Sequence, residues 1–88
     1  MKIKNGYILR TIAGQNIVIP TDDKTSAFQG ALTLNDTGTF IWKMLESECL
    51  RDELITALTD KYSVDRVKAS DSVDRILNTF DRYGVLER

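Results

Sequence analysis

Reactive side chains are few in this sequence. It holds one cysteine, Cys49, and no histidine. A thiol at a helix N-terminus can ionise more readily than a free one, and Cys49 falls just before a helical pattern, so redox or attachment chemistry is one reading of it. The other reading is a small residue at a capping position, and the lack of a neighbouring histidine or second cysteine favours it. The absence of histidine removes the commonest general base and the commonest metal ligand. Gly6, Gly14, Gly30, Gly38 and Gly84 are isolated, so no phosphate-cradling loop is present. The acidic pairs Asp22-Asp23 and Asp52-Glu53 are adjacent, and adjacent helical positions do not share a face; they read as solvated surface charge. Phe40, Trp42 and Phe80 can stack on a ligand, but they sit at helical spacing among aliphatic residues and read as core.

What remains is the chemistry of the backbone. Gly30 to Leu34 reads as a strand, because Ala31-Leu32-Thr33-Leu34 alternates small or polar residues with apolar ones. It holds no Lys, Glu, Asp or Pro. An unpaired strand edge is a liability unless it is charged, covered or used. Gly30 and Ala31 leave room for a second backbone. At a sheet edge, Gly30, Ala31, Leu32, Thr33 and Leu34 can take up a peptide by strand addition. The same edge can pair with its own copy in a two-fold dimer. In the middle of a sheet it can do neither.

The elements that position this strand follow from periodicity and turn chemistry. Lys2 to Gly6 reads as a leading turn. Tyr7–Ile12 and Ile17–Ile19 read as two strands joined through Ala13-Gly14-Gln15-Asn16, with Pro20 ending the second. Thr21 to Gln29 is polar and reads as a surface connection, with Phe28 as an anchor. After Leu34 the period changes. Asn35 is a good N-cap and Asp36 places a negative charge at the positive end of a helix. Phe40, Ile41, Met44 and Leu45 then repeat at helical spacing, giving a first helix from about Asn35 to Glu46. A second starts near Cys49 or Leu50 and ends near Tyr62, its apolar face marked by Leu50, Leu54, Ile55, Leu58 and Tyr62. Ser63-Val64 is the break. Asp65 caps a third helix that runs to about Tyr83, with Val73, Ile76, Leu77 and Phe80 on its buried face. Gly84 is the expected glycine after the helix, with Val85 and Leu86 folding back as an apolar clasp. The fold class is therefore α+β, a winged-helix-like arrangement in which a three-stranded antiparallel N-terminal sheet precedes three helices.

Composition sets the outer limits. With 88 residues, one domain spanning residues 1–88 is expected, too small for a large enclosed active site. The formal net charge is −1, where a dedicated nucleic-acid binder of this size is usually basic. The lone cysteine excludes an internal disulfide and fits a reducing cytoplasm. No charged segment followed by an apolar run suggests a signal peptide, and no stretch is apolar enough for a membrane span.

Leu34-Asn35-Asp36-Thr37-Gly38 followed by Phe40-Ile41-Trp42 resembles the signature of small proteins similar to the pyrroloquinoline quinone synthesis protein D, the PqqD-like recognition elements of ribosomal peptide-modifying pathways. The resemblance extends to Lys61-Tyr62-Ser63-Val64-Asp65 and to Tyr83-Gly84-Val85-Leu86-Glu87. The Thr37, Gly38 and Trp42 form is similar to the broader set that serves pathways other than that cofactor's. The resemblance implies a binding module, not an enzyme, with no cofactor of its own. It implies that a precursor's leader peptide adds as a fourth strand along Gly30 to Leu34, in the groove between that strand and the third helix. The helix wall then comes from residues off the Val73-Ile76-Leu77-Phe80 face, with Val67, Ser70, Asp71, Asp74 and Arg75 as candidates. The captured peptide is presented to a partner modification enzyme, commonly a radical SAM protein.

Two rival readings come from other classes. A winged-helix DNA-binding domain would read DNA with the third helix. From Asp65 to Tyr83, however, Arg66, Lys68, Arg75 and Arg82 are balanced by Asp65, Asp71, Asp74 and Asp81, and four carboxylates are costly beside phosphates. A self-pairing scaffold would use the same uncharged strand edge for a homodimer.

Overall fold

The Ala13-Gly14 pair reverses the chain between two strands, and both residues have positive φ, 52° and 78°. That is what a two-residue type I′ turn asks of its central residues, because its twist matches that of the flanking strands. The computed structural model describes residues 1–21 and 32–88. In it β2 (Tyr7–Ile12) and β3 (Gln15–Pro20) pair antiparallel with Ile12 opposite Gln15, so the turn is tighter than the four residues read from the sequence. The third strand of this sheet is β4 (Leu32–Leu34), antiparallel to β3 with Thr33 opposite Ile17. The order is β2-β3-β4, so β4 is an outer strand among the described residues. Gly30 and Ala31, expected to open this strand, lie outside the described residues, as do residues 22–29 of the expected connection, Phe28 included.

Three helices follow: α1 (Asp36–Met44), α2 (Arg51–Tyr62) and α3 (Arg66–Tyr83). This is the expected α+β order of sheet, then helices. Asn35 caps α1 as expected, its side-chain oxygen accepting from the Gly38 N–H at 2.8 Å. Asp65 does the same for α3, accepting from the Lys68 N–H at 2.8 Å. At the head of α2, Glu53 reaches back to accept the Leu50 N–H at 2.8 Å. Leu50, the cap residue outside the helix, is exposed, as is Tyr62 at the other end. The buried face of α2 is Leu54, Ile55 and Leu58, without the two flanking residues expected on it. Beyond α3, the Val85 N–H bonds the Phe80 carbonyl and the Gly84 N–H bonds that of Asp81, both at 3.1 Å, with Gly84 at φ 71°. This is a Schellman ending, and Val85 and Phe80 are fully buried beside each other in the chain's reversal.

At the chain ends one reading is corrected, while the apolar clasp expected of Val85 and Leu86 is present, both residues being buried. Lys2–Ile3 is not a turn but β1, and Leu86–Glu87 is its partner β5. Ile3 stands opposite Leu86, and the Lys4 N–H bonds the Val85 carbonyl at 2.8 Å. Two-residue strands carry no legible period, and neither segment signals the other's position.

The core lies between the sheet and the helices. Val18, Leu32 and Leu34 enter from the sheet, Ile41, Trp42 and Leu45 from α1 and its cap, and Leu54, Leu58, Val73, Leu77 and Phe80 from α2 and α3. Trp42 meets Phe80 edge to face, with centroids 5.5 Å apart and planes at 86°. The strand leads into α1 through a single residue, Asn35, so β4 and the start of α1 are fixed to each other.

Candidate functional site

β4 alternates, with Leu32 and Leu34 buried and Thr33 exposed. Its outer edge, opposite β3, borders an open groove of about 360 Å³. The near wall is Leu32, Thr33 and Leu34. The end wall is the strand–helix junction, Asn35, Thr37 and Gly38. The far wall is α3, through Ser72, Arg75, Ile76 and Thr79, and Phe80 forms part of the floor. Gly38 lets the start of α1 pack closely on the end of β4. A Cβ there would stand 3.3 Å from the Asn35 side-chain oxygen and 3.5 Å from Leu34.

The geometry of α3 decides which of its residues reach the groove. Each residue turns the helix by about 100°. Ser72, Ile76 and Thr79 each precede a core position, Val73, Leu77 and Phe80, and so form a stripe beside the core stripe on the β4 side. Ser70 and Asp74 each follow a core position, Ala69 and Val73, and lie on the other flank. There Arg51 of α2 holds them: its Nε donates to Asp74 Oδ1 at 2.8 Å, and its Nη2 to Asp74 Oδ2 at 2.9 Å and Ser70 Oγ at 2.8 Å. This bond draws the Asp74 carboxyl below its ordinary range. Val67 is 77% exposed and Asp71 is exposed, and neither lines the groove. Of the helix residues expected from the sequence, the groove gathers Arg75 with Leu32, Thr33 and Leu34; it does not gather Val67, Ser70, Asp71 or Asp74. Ser72 and Thr79 were missed, and Ile76, expected on the buried face of the helix, is half-buried and lines the groove instead. Their spacing of four and three residues is the available signal, one step before the core stripe.

The lining offers backbone edge, hydroxyls, an apolar floor and one guanidinium. Arg75 is the single charged residue among the described lining, and no ion pair engages it among the described residues. No described carboxylate or thiol lines the groove beside the Thr33, Thr37, Ser72 and Thr79 hydroxyls. Such an arrangement can hold an extended chain.

Cys49 lies elsewhere. It is 6% exposed. Burial first, and then the charge of Glu53, pushes its thiol above the ordinary value, the reverse of an activated nucleophile. Among the described residues no group of three or more His, Cys, Asp or Glu can hold a metal ion. None of the helices described is long and apolar enough to cross a membrane.

A second depression, about 520 Å³, lies on the other flank of α1. Phe40 and Tyr62 meet there edge to face at 6.3 Å, and the Lys61 ammonium sits 5.2 Å from the first ring and 5.7 Å from the second. Thr39 is buried on this flank, and its hydroxyl has no hydrogen-bond partner among the described residues.

The family described as coenzyme PQQ synthesis protein D (PqqD) matches residues 7–86. No curated protein matches the chain significantly. A solved structure, TbiB1 in complex with the TbiA(beta) leader peptide, is similar in fold: TM-score 0.78, 23% sequence identity, covering 99% of this chain and 95% of that one.

Proposed function

Because the chain belongs to the coenzyme PQQ synthesis protein D family, we propose that it binds the leader segment of a ribosomally made precursor peptide and presents it to a modification enzyme. The observation that carries this reading is the open groove between the outer edge of β4 and α3. A leader entering as a fourth strand would take its backbone bonds from β4, with Gly30 and Ala31 extending the ladder beyond the described residues. Main-chain bonds would supply much of the affinity and the α3 wall the selectivity. The similar fold of TbiB1, solved with a leader peptide, supports the same use of this architecture. The domain acts as a binding module, and the catalyst is its partner, a radical SAM protein or another peptide-modifying enzyme. Holding the leader raises the effective concentration of the core peptide at that enzyme.

The test is an amide-shift NMR titration with the leader halves of short reading frames encoded beside this gene. Shifts concentrated at Leu32–Leu34 and along Ser72–Thr79 are expected. Thr33→Pro, which stiffens the strand and removes a ladder donor, is expected to weaken binding at least tenfold while the core helices stay folded. Undiminished affinity in a folded Thr33→Pro protein would overturn strand addition. Silence with every leader, with line widths that grow with protein concentration, would point instead to β4 pairing with a second copy.

A further inference from the structure

We infer that the groove selects leaders carrying an acidic side chain, Asp or Glu, which Arg75 reads, with an apolar side chain two residues away on the same face. This rests on the strand-addition reading above and goes beyond it to the chemistry of the ligand. Arg75 is the only charged residue among the described lining of the groove. The neighbouring acids leave it available. Asp74 is held by Arg51 on the opposite flank of α3, and Asp71, one turn before Arg75, forms no ion pair with it. With a net charge of −1 the whole chain gives an acidic peptide no long-range attraction, so recognition of a carboxylate has to be local. A guanidinium suits that task because its fixed fork bonds both carboxylate oxygens. As an exposed group Arg75 would gain little from a solvated partner; a bound strand removes water from the pair and raises its worth.

The spacing follows from two periods. Side chains on one face of a strand recur at roughly 6.6 Å, and one helical turn rises about 5.4 Å. For a strand lying along α3, a carboxylate opposite Arg75 leaves the next same-face side chain about one turn along the helix, between Ile76, Phe80 and the leucines of β4. That part of the lining is apolar and takes a branched aliphatic or aromatic side chain.

The experiment is selection from an mRNA-display library of random twelve-residue peptides on the full chain, repeated on Arg75→Glu and Arg75→Gln. Arg75 is exposed, and circular dichroism checks that both variants fold. The wild type is expected to enrich Asp or Glu two residues from an apolar position. Arg75→Glu should turn that acidic position to Lys or Arg while keeping the apolar one. Arg75→Gln should lose the acidic preference alone. A peptide chosen by the wild type should bind Arg75→Gln roughly tenfold more weakly, the size of one charge-assisted hydrogen bond. Apolar enrichment without an acid in the wild type, or an acid that persists in Arg75→Glu, would overturn this inference and leave peptide recognition standing. No enrichment on any of the three proteins would overturn both.

Discussion

Single residues set the local balance of this small core. Trp42 and Phe80 are both essentially unexposed and meet edge to face, a geometry worth more than area alone. Trp42→Ala is expected to remove about 3–5 kcal/mol of stability, leaving the domain largely unfolded by thermal denaturation. Thr39 is the opposite case. Its buried hydroxyl lacks a partner among the described residues, and an unmet buried polar group costs about 1–3 kcal/mol. Thr39→Val keeps the shape and removes the hydroxyl, so a higher melting temperature is expected. Charge adds a pH-dependent contribution. Arg51 holds the Asp74 carboxyl below its ordinary value, whereas the unfolded chain titrates it near ~3.9. The unfolded state then binds more protons between those values. The pair's contribution is complete above about 3.9 and is lost as pH falls through the depressed value. An NMR titration of the Asp74 carboxyl carbon should show a midpoint below ~3.9, moving up toward it in Arg51→Met. An unchanged midpoint would mean that the pair does not persist in solution.

Elements were legible where one residue type does one physical job. Asn35, Asp65 and Gly84 announce the ends of α1 and α3 because an N-cap needs a short acceptor and a left-handed ending favours a residue without a Cβ. By contrast α2 ends left-handed on Ser63, which carries no such signal. The core face of α3 is legible because Val73, Leu77 and Phe80 repeat at its period. The flank that faces β4 was not legible, since Ser70 and Ser72 look alike until the position of α2 says which side is which. The hairpin shows the same limit. Ala13 occupies a position that favours glycine or asparagine, and its φ of 52° is imposed by the pairing of β2 with β3. A left-handed alanine costs roughly 1–2 kcal/mol, while asparagine tolerates that region and Asn-Gly is the preferred type I′ pair. Ala13→Asn is therefore expected to stabilise the protein by about 0.5–1 kcal/mol, read as a shifted urea midpoint with unchanged slope. A destabilised Ala13→Asn protein would mean that the turn is not of this type in solution.

At the scale of the molecule the two ends of the chain brace the wall of the groove. β1 pairs with β5, and the Ile3 N–H also bonds the Leu45 carbonyl at 2.8 Å, tying the end of α1 to the chain's last strand. Because β5 follows the Schellman turn of α3 at once, the brace also holds the C-terminal half of α3, whose residues line the groove. Ile3 and Leu86 face each other at 8% and 6% exposure. Truncating either to alanine should cost about 2 kcal/mol or more. Once one is gone, however, the other has lost the partner against which it packs. The double variant should then be less destabilised than the sum of the two singles, by about 0.5–3 kcal/mol. Urea denaturation of the four proteins measures this coupling directly. Hydrogen exchange locates it: in Leu86→Ala the amides at the end of α3 should open faster, while those pairing β2 with β3 should not. Additive losses, or an equal rise in exchange throughout, would show the ends to be independent of the groove. Coupled losses confined to α3 would mean that the wall which meets the peptide is held in place from the far side of the fold.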